Sequence, residues 1–267
     1  MKEAKLIKKC EECLSDAEIK TYPVNLDLLG SFHGVTGIEK VALKESGRLL
    51  VKDNGEYVIQ VNKNHPEAKR RFTIAHEIGH ILVEDAITES IVDTSVGNFN
   101  KNDETEYLCD VAAANLLMPA SFFGDYVKGK RYCFDLVTKT AKAFNSSLEA
   151  VALNLVKRSS RTRAVIVWEL AHKPKEESSL ATMSFPGFEE FRPQKQLRIV
   201  YGVGGSFHLP RHKSLEESNG LIQKALDVGF LQEGEQQLII GENVLSGYFQ
   251  TFQTIPGRLL TLVQVAK

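Results

Sequence analysis

The chain has 267 residues, of which 43% are hydrophobic and 25% charged, and its formal net charge at pH 7 is −1. This is ordinary globular composition, and it excludes a protein whose overall charge would attract nucleic acid or an acidic membrane. No apolar run reaches the roughly 20 residues of a membrane-spanning helix, and the N-terminus lacks a signal-peptide pattern. Four cysteines are too few for a disulfide scaffold. We therefore expect a cytoplasmic protein.

The first part of the chain is predicted to contain a helix over residues 2–20, a β-hairpin and a second, longer helix. The segment RLLVKDNGEYVIQVN indicates the hairpin, because apolar-rich strands flank an Asn-Gly pair that favours a type I′ turn. The longer helix is predicted to begin near Pro66 and to run to about Val83. Residues 84–103 are polar and aperiodic, which predicts a loop.

The rest of the chain changes from helical to strand-like patterns. Glu104 to Leu117 is an Ala/Leu-rich helix that ends at Pro119. The patterns LVTKTAKAF and LEAVALNLV resemble a helix-turn-helix. Beyond a predicted linker at residues 159–162, strand-like segments such as RAVIVWEL and RLLTLVQV predict an α+β domain with an antiparallel sheet.

The segment RFTIAHEIGHIL carries the clearest chemical signal. His76 and His80 are four residues apart, so that both imidazoles lie on one helix face and can share one metal ion. A zinc ion lowers the pKa of its bound water to about 7, and Glu77 can accept the proton as general base. Gly79 between them allows another backbone to approach closely.

A buried helix with two hydrogen-bonded core histidines is the alternative interpretation of this motif. The five-residue pattern arises by chance about once in 50–100 chains of this histidine content. Burying two imidazoles and a carboxylate nevertheless costs free energy unless they bind a common partner such as a metal ion. The metal-binding interpretation is therefore the stronger one.

A third ligand is predicted on the next helix, DETEYLCDVAAANLLMP. Glu106 and Asp110 lie four residues apart on one face among apolar residues, which suits Glu106 as a ligand. Asp110 would then accept a hydrogen bond from the free N–H of a ligating histidine. The alternative is an exposed acidic first turn favoured by the helix dipole. Zinc is the expected metal, and Mn²⁺ can substitute because two histidines and one glutamate select weakly.

The motif RFTIAHEIGH, followed by E-x-x-x-D and AAANLLMP, resembles the ImmA/IrrE family of bacterial regulatory metallopeptidases. The resemblance covers residues 20–158 and includes YPVNLDLL and HPEAKRRF upstream of the motif. It implies a minimal thermolysin-like fold with an active site of His76, Glu77, His80 and Glu106. It also implies cleavage of helix-turn-helix repressors, which derepresses DNA-damage genes or mobile elements.

Three parts follow from this interpretation. Residues 1–119 are expected to form the zinc metallopeptidase domain, and residues 120–160 the helix-turn-helix-like helical segment. Residues 161–267 resemble, more weakly, the GAF-like sensor domain of the radiation-response branch of the family.

The main functional hypothesis is a zinc endopeptidase whose substrate is a helix-turn-helix repressor, held by pairing with the strand Tyr57–Val61. One alternative is a DNA-binding regulator that uses residues 136–158, although Asn154 is the main side chain there able to read bases. The other is a zinc-holding sensor without catalysis, which would not need Glu77. Neither a membrane nor direct DNA binding is expected.

Overall fold

The structure is a computed structural model, and residues within its described ranges form two compact units. Unit 1 comprises residues 1–130 and 138–147, and unit 2 comprises residues 131–137 and 148–267. The described ranges are 2–88, 103–158, 163–173, 175–176, 194–204, 208–215 and 220–266.

Unit 1 contains three short strands and most of the helices. Its elements are α1 (Lys2–Asp16), α2 (Leu26–Ser31), β1 (Val35–Val41), β2 (Gly47–Val51), β3 (Tyr57–Asn62), α3 (Glu67–Thr88), α4 (Asp103–Leu117) and α5 (Ala120–Val127). Most of α6 (Phe134–Phe144) also belongs to this unit. The predicted loop over residues 84–103 is wrong for residues 84–88, which continue α3, and for Asp103, which begins α4; residues 89–102 lie outside the described ranges.

The three strands form one sheet in the order β1-β3-β2. β3 pairs parallel with β1 and antiparallel with β2, so it is the central strand and β2 lies at an edge. The prediction that Tyr57–Val61 pairs with a substrate is therefore wrong, because hydrogen bonds to two neighbours already occupy both sides of β3. Any added strand has to pair at an edge of the sheet.

The predicted hairpin is confirmed, but its turn differs from the predicted type I′. Gly55 has a left-handed backbone with φ of 82°, and its N–H donates to the Lys52 carbonyl over 2.9 Å. Asn54 does not take a positive φ; its side chain accepts a hydrogen bond from the Glu56 N–H instead. The connection is thus a three-residue turn in which only glycine is left-handed.

The core of unit 1 lies where α3 packs against α4. Ala75, Ile78 and Leu82 of α3 and Ala112 and Leu116 of α4 are fully buried. Each fully buried leucine or isoleucine stabilises the fold by roughly 1.5–3 kcal/mol relative to an exposed one. This apolar contact fixes the distance between the two helices that carry the predicted site.

The two helices of the predicted helix-turn-helix belong to different units. α7 (Leu148–Lys157) packs against strands β4 (Arg163–Ala171) and β5 (Gln196–Gly204) of unit 2. Arg258 Nε donates to Glu149 Oε1 of α7 over 2.7 Å, and the two side chains form an ion pair. The predicted linker at residues 159–162 lies outside the described ranges.

Unit 2 is an α+β unit with one antiparallel sheet, as predicted. Its remaining elements are β6 (His208–Leu209), α8 (Gly220–Val228), β7 (Gln232–Ile240), β8 (Asn243–Ile255) and β9 (Arg258–Val265). The strand order is β6-β5-β4-β9-β8-β7, and every neighbouring pair is antiparallel. Trp168, Phe249 and Ile222 belong to its hydrophobic core.

Within the described ranges, no single helix is long and apolar enough to cross a bilayer. Helices α4 and α5 reach that length only when joined across a bend of 55°.

Candidate metal centre

The helix α3 presents His76 and His80 one turn apart, with ring centroids separated by 4.9 Å. His80 is 7% exposed, and the His76 side chain is 16% exposed. The predicted placement of both imidazoles on one helix face is confirmed. Apolar residues of α3 surround them, because the same helix also supplies the buried contact with α4.

Glu106 of α4 faces both histidines. Its Oε2 lies 3.3 Å from His76 Nε2, and its Oε1 lies 3.7 Å from His80 Nε2. The Oε1 atom is buried and has no hydrogen-bond partner among the described residues. A buried carboxylate oxygen without a partner is costly, and a cation between it and the two nitrogens would satisfy it. These three residues therefore fit a divalent metal ion.

Asp110 contacts the far side of the first imidazole. Its Oδ1 lies 2.9 Å from His76 Nδ1, which leaves the Nε2 of the same ring directed to Glu106. Glu106 and Asp110 were expected on one face among apolar residues, but 38% of the Glu106 side chain and 58% of the Asp110 side chain are exposed. The physical reason is that the next residues of the helix, Val111 and Ala112, make the buried contact instead.

Neighbouring carboxylates shift the pKa of His76. Burial alone lowers the pKa of this imidazole, but the hydrogen bond and charge of Asp110 raise it, with further contributions from Glu77 and Glu106. The net result is a raised pKa. The three carboxylates that raise it also favour the binding of a cation.

Cys109 is the residue of this centre that the sequence did not reveal. Its Sγ lies 3.3 Å from His80 Nδ1, and the potential ligand atoms of His76, His80 and Cys109 lie within 4.8 Å of one another. Burial raises the pKa of the Cys109 thiol to about 12, so the group is a neutral thiol at pH 7. Its signal in the sequence was its spacing from Glu106, because residues three apart share a helix face.

Gly79 allows α4 to approach this closely. A Cβ atom at Gly79 would lie 3.1 Å from both the Cys109 carbonyl oxygen and the Ala112 Cβ. The prediction that this glycine permits a close backbone approach is confirmed.

Glu77 lies on α3 beside Gly47, the first residue of β2. It is 7% exposed, and its Oε1 is 3.6 Å from the position that a Cβ of Gly47 would occupy. The same Cβ would lie 2.3 Å from Thr73 Cγ2, which shows how tightly β2 lies on α3. The sheet edge therefore runs past the carboxylate.

The sequence around the candidate metal centre is similar to that of known proteins. Residues 33–156 match the peptidase family model described as IrrE N-terminal-like domain. Over this stretch, a little under half of the chain, the sequence is similar to the ImmA/IrrE family. The predicted resemblance is thereby confirmed.

Two ImmA/IrrE relatives carry the name Radiation response metalloprotease IrrE. The chain is 35% identical to the protein of Deinococcus deserti over 95 residues, which is 35% of this chain and 34% of the relative. It is 36% identical to the protein of Deinococcus radiodurans over 88 residues, covering 32% and 26% of the two chains. The match thus spans about a third or less of the length of these curated relatives.

A solved structure supports the fold. The chain aligns with a structure described as Mycobacterium tuberculosis transcriptional regulator at a TM-score of 0.58 and 14% identity. The alignment covers 98% of this chain and 76% of that one. At this identity the likeness concerns the fold alone.

Proposed function

We propose that this chain is a zinc-dependent endopeptidase that cleaves a helix-turn-helix transcriptional repressor and so derepresses stress-response or mobile-element genes. The observation that carries the proposal is the convergence of His76, His80 and Glu106 around a buried carboxylate oxygen that has no hydrogen-bond partner among the described residues. The names of the two Deinococcus relatives support a stress-linked metalloprotease.

The proposed ligands are the Nε2 atoms of His76 and His80 and the carboxylate of Glu106. Three protein ligands of this kind are typical of catalytic zinc, which keeps one position for water or substrate. The partial exposure of Glu106, at 38% of its side chain, supports access of solvent to that position. Mn²⁺ remains an alternative metal, because this ligand set discriminates weakly.

Glu77 is proposed as the general base. A bound divalent ion would supply Lewis acidity toward the peptide carbonyl and toward water. Glu77 accepts one proton from the water as its oxygen attacks the carbonyl carbon, and it then donates that proton to the leaving amine nitrogen as the C–N bond breaks. The position of Glu77 supports this role, because the carboxylate follows His76 on α3 and its Oε1 lies 3.6 Å from the position of a Gly47 Cβ at the sheet edge.

The substrate backbone is proposed to pair with β2. This strand is at an edge of its sheet, so one row of its N–H and C=O groups faces away from β3. Gly47 brings the strand past Glu77 without an intervening side chain, and Leu50 and Val51 are exposed apolar residues farther along it. An extended peptide segment added there would pass the candidate metal centre.

The DNA-binding alternative is not favoured by α7. Asn154 is 8% exposed and accepts a hydrogen bond from Arg158, and α7 packs against the sheet of unit 2. A helix held in this way offers few side chains to base edges. We further propose a thermolysin-like arrangement for unit 1 and a GAF-like sensor for residues 161–267, supported by the order of their elements.

Co-expression with candidate helix-turn-helix repressors from the same genome tests the proposal. We expect the wild-type chain to shorten at least one repressor, detected by mass spectrometry of the fragments. Glu77→Gln should retain metal and leave every repressor intact. Glu84→Gln, an exposed carboxylate farther along α3, is the matched control and should cleave normally. Cleavage by metal-loaded Glu77→Gln, or intact repressors throughout with metal-loaded wild type, would reject the proposal.

A further inference from the structure

Three residues of α4 face the two histidines of α3 in a repeating arrangement. Cys109 and Asp110 follow Glu106 by three and four residues, so all three lie on one side of α4. Glu106 lies near the Nε2 atoms of both imidazoles, at 3.3 Å and 3.7 Å. The other two residues contact the Nδ1 atoms, one for each ring.

The two Nδ1 contacts differ in chemistry. His76 Nδ1 lies 2.9 Å from a carboxylate oxygen of Asp110, whereas His80 Nδ1 lies 3.3 Å from the Cys109 sulfur. A separation of 3.3 Å is an ordinary hydrogen-bond distance when sulfur accepts. Each ring is therefore held at its outer nitrogen by α4, and its inner nitrogen is left for the proposed metal.

The position of Cys109 argues against its acting as a metal ligand itself. Its side chain is fully buried between the helices, and it contacts the ring nitrogen that faces away from Glu106. A metal bound through Cys109 would lie at the Nδ1 side of His80, next to a side chain that is fully buried. Catalytic zinc needs a position open to water, and the Glu106 side chain is 38% exposed.

We infer that Cys109 is a positioning residue for His80: its thiol accepts the His80 Nδ1–H and so fixes the tautomer and the ring orientation in which Nε2 binds metal. The inference rests on the proposed function, because it assumes a metal at the Glu106 side. The two proposed histidine ligands are then held in place by acceptors of unequal strength. His76 is held by an anionic acceptor, and His80 is held by a neutral and weaker one.

Zinc affinity of the full-length chain tests this role without any cleavage assay. Competition with a chelator would be measured for wild type, Cys109→Ala, Cys109→Ser and Cys10→Ala. The serine hydroxyl can accept the same hydrogen bond, and Cys10 is a fully buried thiol of α1, so it is the matched control. Loss of an outer-shell partner typically weakens metal binding about 10–100-fold. We expect that loss for Cys109→Ala, near-complete recovery for Cys109→Ser and no change for Cys10→Ala.

The Co²⁺-substituted protein provides a spectroscopic signature that distinguishes positioning from ligation. We expect no sulfur-to-cobalt charge-transfer band in the wild-type spectrum, and the same d–d bands in Cys109→Ser. A sulfur band that disappears in Cys109→Ala would overturn the inference by making Cys109 a ligand. Unchanged zinc affinity of Cys109→Ala would overturn it as well. A chain that shows the expected affinities but cleaves nothing would instead reject the endopeptidase proposal alone.

Discussion

The backbone of Cys109 passes so close to Gly79 that a Cβ on the glycine would lie 3.2 Å from the Cys109 Cα and 3.1 Å from its carbonyl oxygen. Gly79→Ala should therefore push α4 away from α3 by a few tenths of an ångström. Because His80 lies on α3 and Glu106 on α4, we expect weaker metal binding, together with a stability loss of about 1–3 kcal/mol from overpacking. Zinc competition and denaturant unfolding measure the two effects.

Gly124→Ala is the control for this change. Gly124 lies in α5, and no heavy atom would come within 4 Å of an added Cβ there. Alanine should raise stability at this position by up to about 1 kcal/mol through helix propensity and leave the metal site unchanged. Equal metal affinity in the Gly79 and Gly124 variants would show that the close helix contact is not needed for the site.

Metal content should depend on both histidines. The purified wild-type chain is expected to carry about one divalent ion, measured by elemental analysis, and His76→Ala or His80→Ala should lose it. His65→Ala is the control, because His65 precedes α3 and its ring contacts Lys69 instead. Full occupancy in both of the first two variants would place the metal elsewhere.

Glu106 and Asp110 should behave differently although both contact His76. Glu106→Ala removes a proposed ligand and is expected to abolish tight metal binding. Asp110→Ala removes only the acceptor at Nδ1 and should lower affinity by roughly 10–100-fold. Chelator competition distinguishes the two, and equal losses would contradict these separate roles.

Gly47→Ala should impair cleavage without impairing metal binding. An added Cβ would lie 2.3 Å from Thr73 Cγ2 and 2.8 Å from the Gln60 carbonyl oxygen, so β2 has to shift from its position beside Glu77. No proposed ligand lies on β2, and metal content should therefore stay at the wild-type level. A fall in kcat/KM of tenfold or more is expected with a cleaved repressor. Loss of metal would show that β2 supports the ligands as well.

Thiol labelling should separate the cysteines by burial. Burial raises the pKa of Cys10 and Cys109 to about 12, and the thiolate is the reactive form, so little of it exists at pH 8. Cys133 is only half-buried. Iodoacetamide at pH 8 should thus modify Cys133 before Cys10 and Cys109, which should react only in denaturant. Rapid labelling of Cys109 in the folded chain, seen by mass spectrometry, would contradict the buried placement.

Local patterns in the sequence predicted the features that depend on neighbouring residues. The helix face shared by His76 and His80, the hairpin and the antiparallel character of unit 2 all follow from short periodicities. The central place of β3 did not follow, because strand order depends on β1, whose half-exposed residues show no alternation. The contact of Cys109 with His80 was missed for a similar reason. It depends on the distance between two helices, which no local pattern encodes.

Helices α6 and α7 belong largely to different units, and this limits where the protein can be divided. The chain passes from one unit to the other after residues 130, 137 and 147. A single protease cut or a single recombination point therefore cannot release either unit intact, since each would lose a segment or carry one from its neighbour. Transfer of the metal centre to another protein would have to move the helical segment along with it, and the two units are expected to be inherited together.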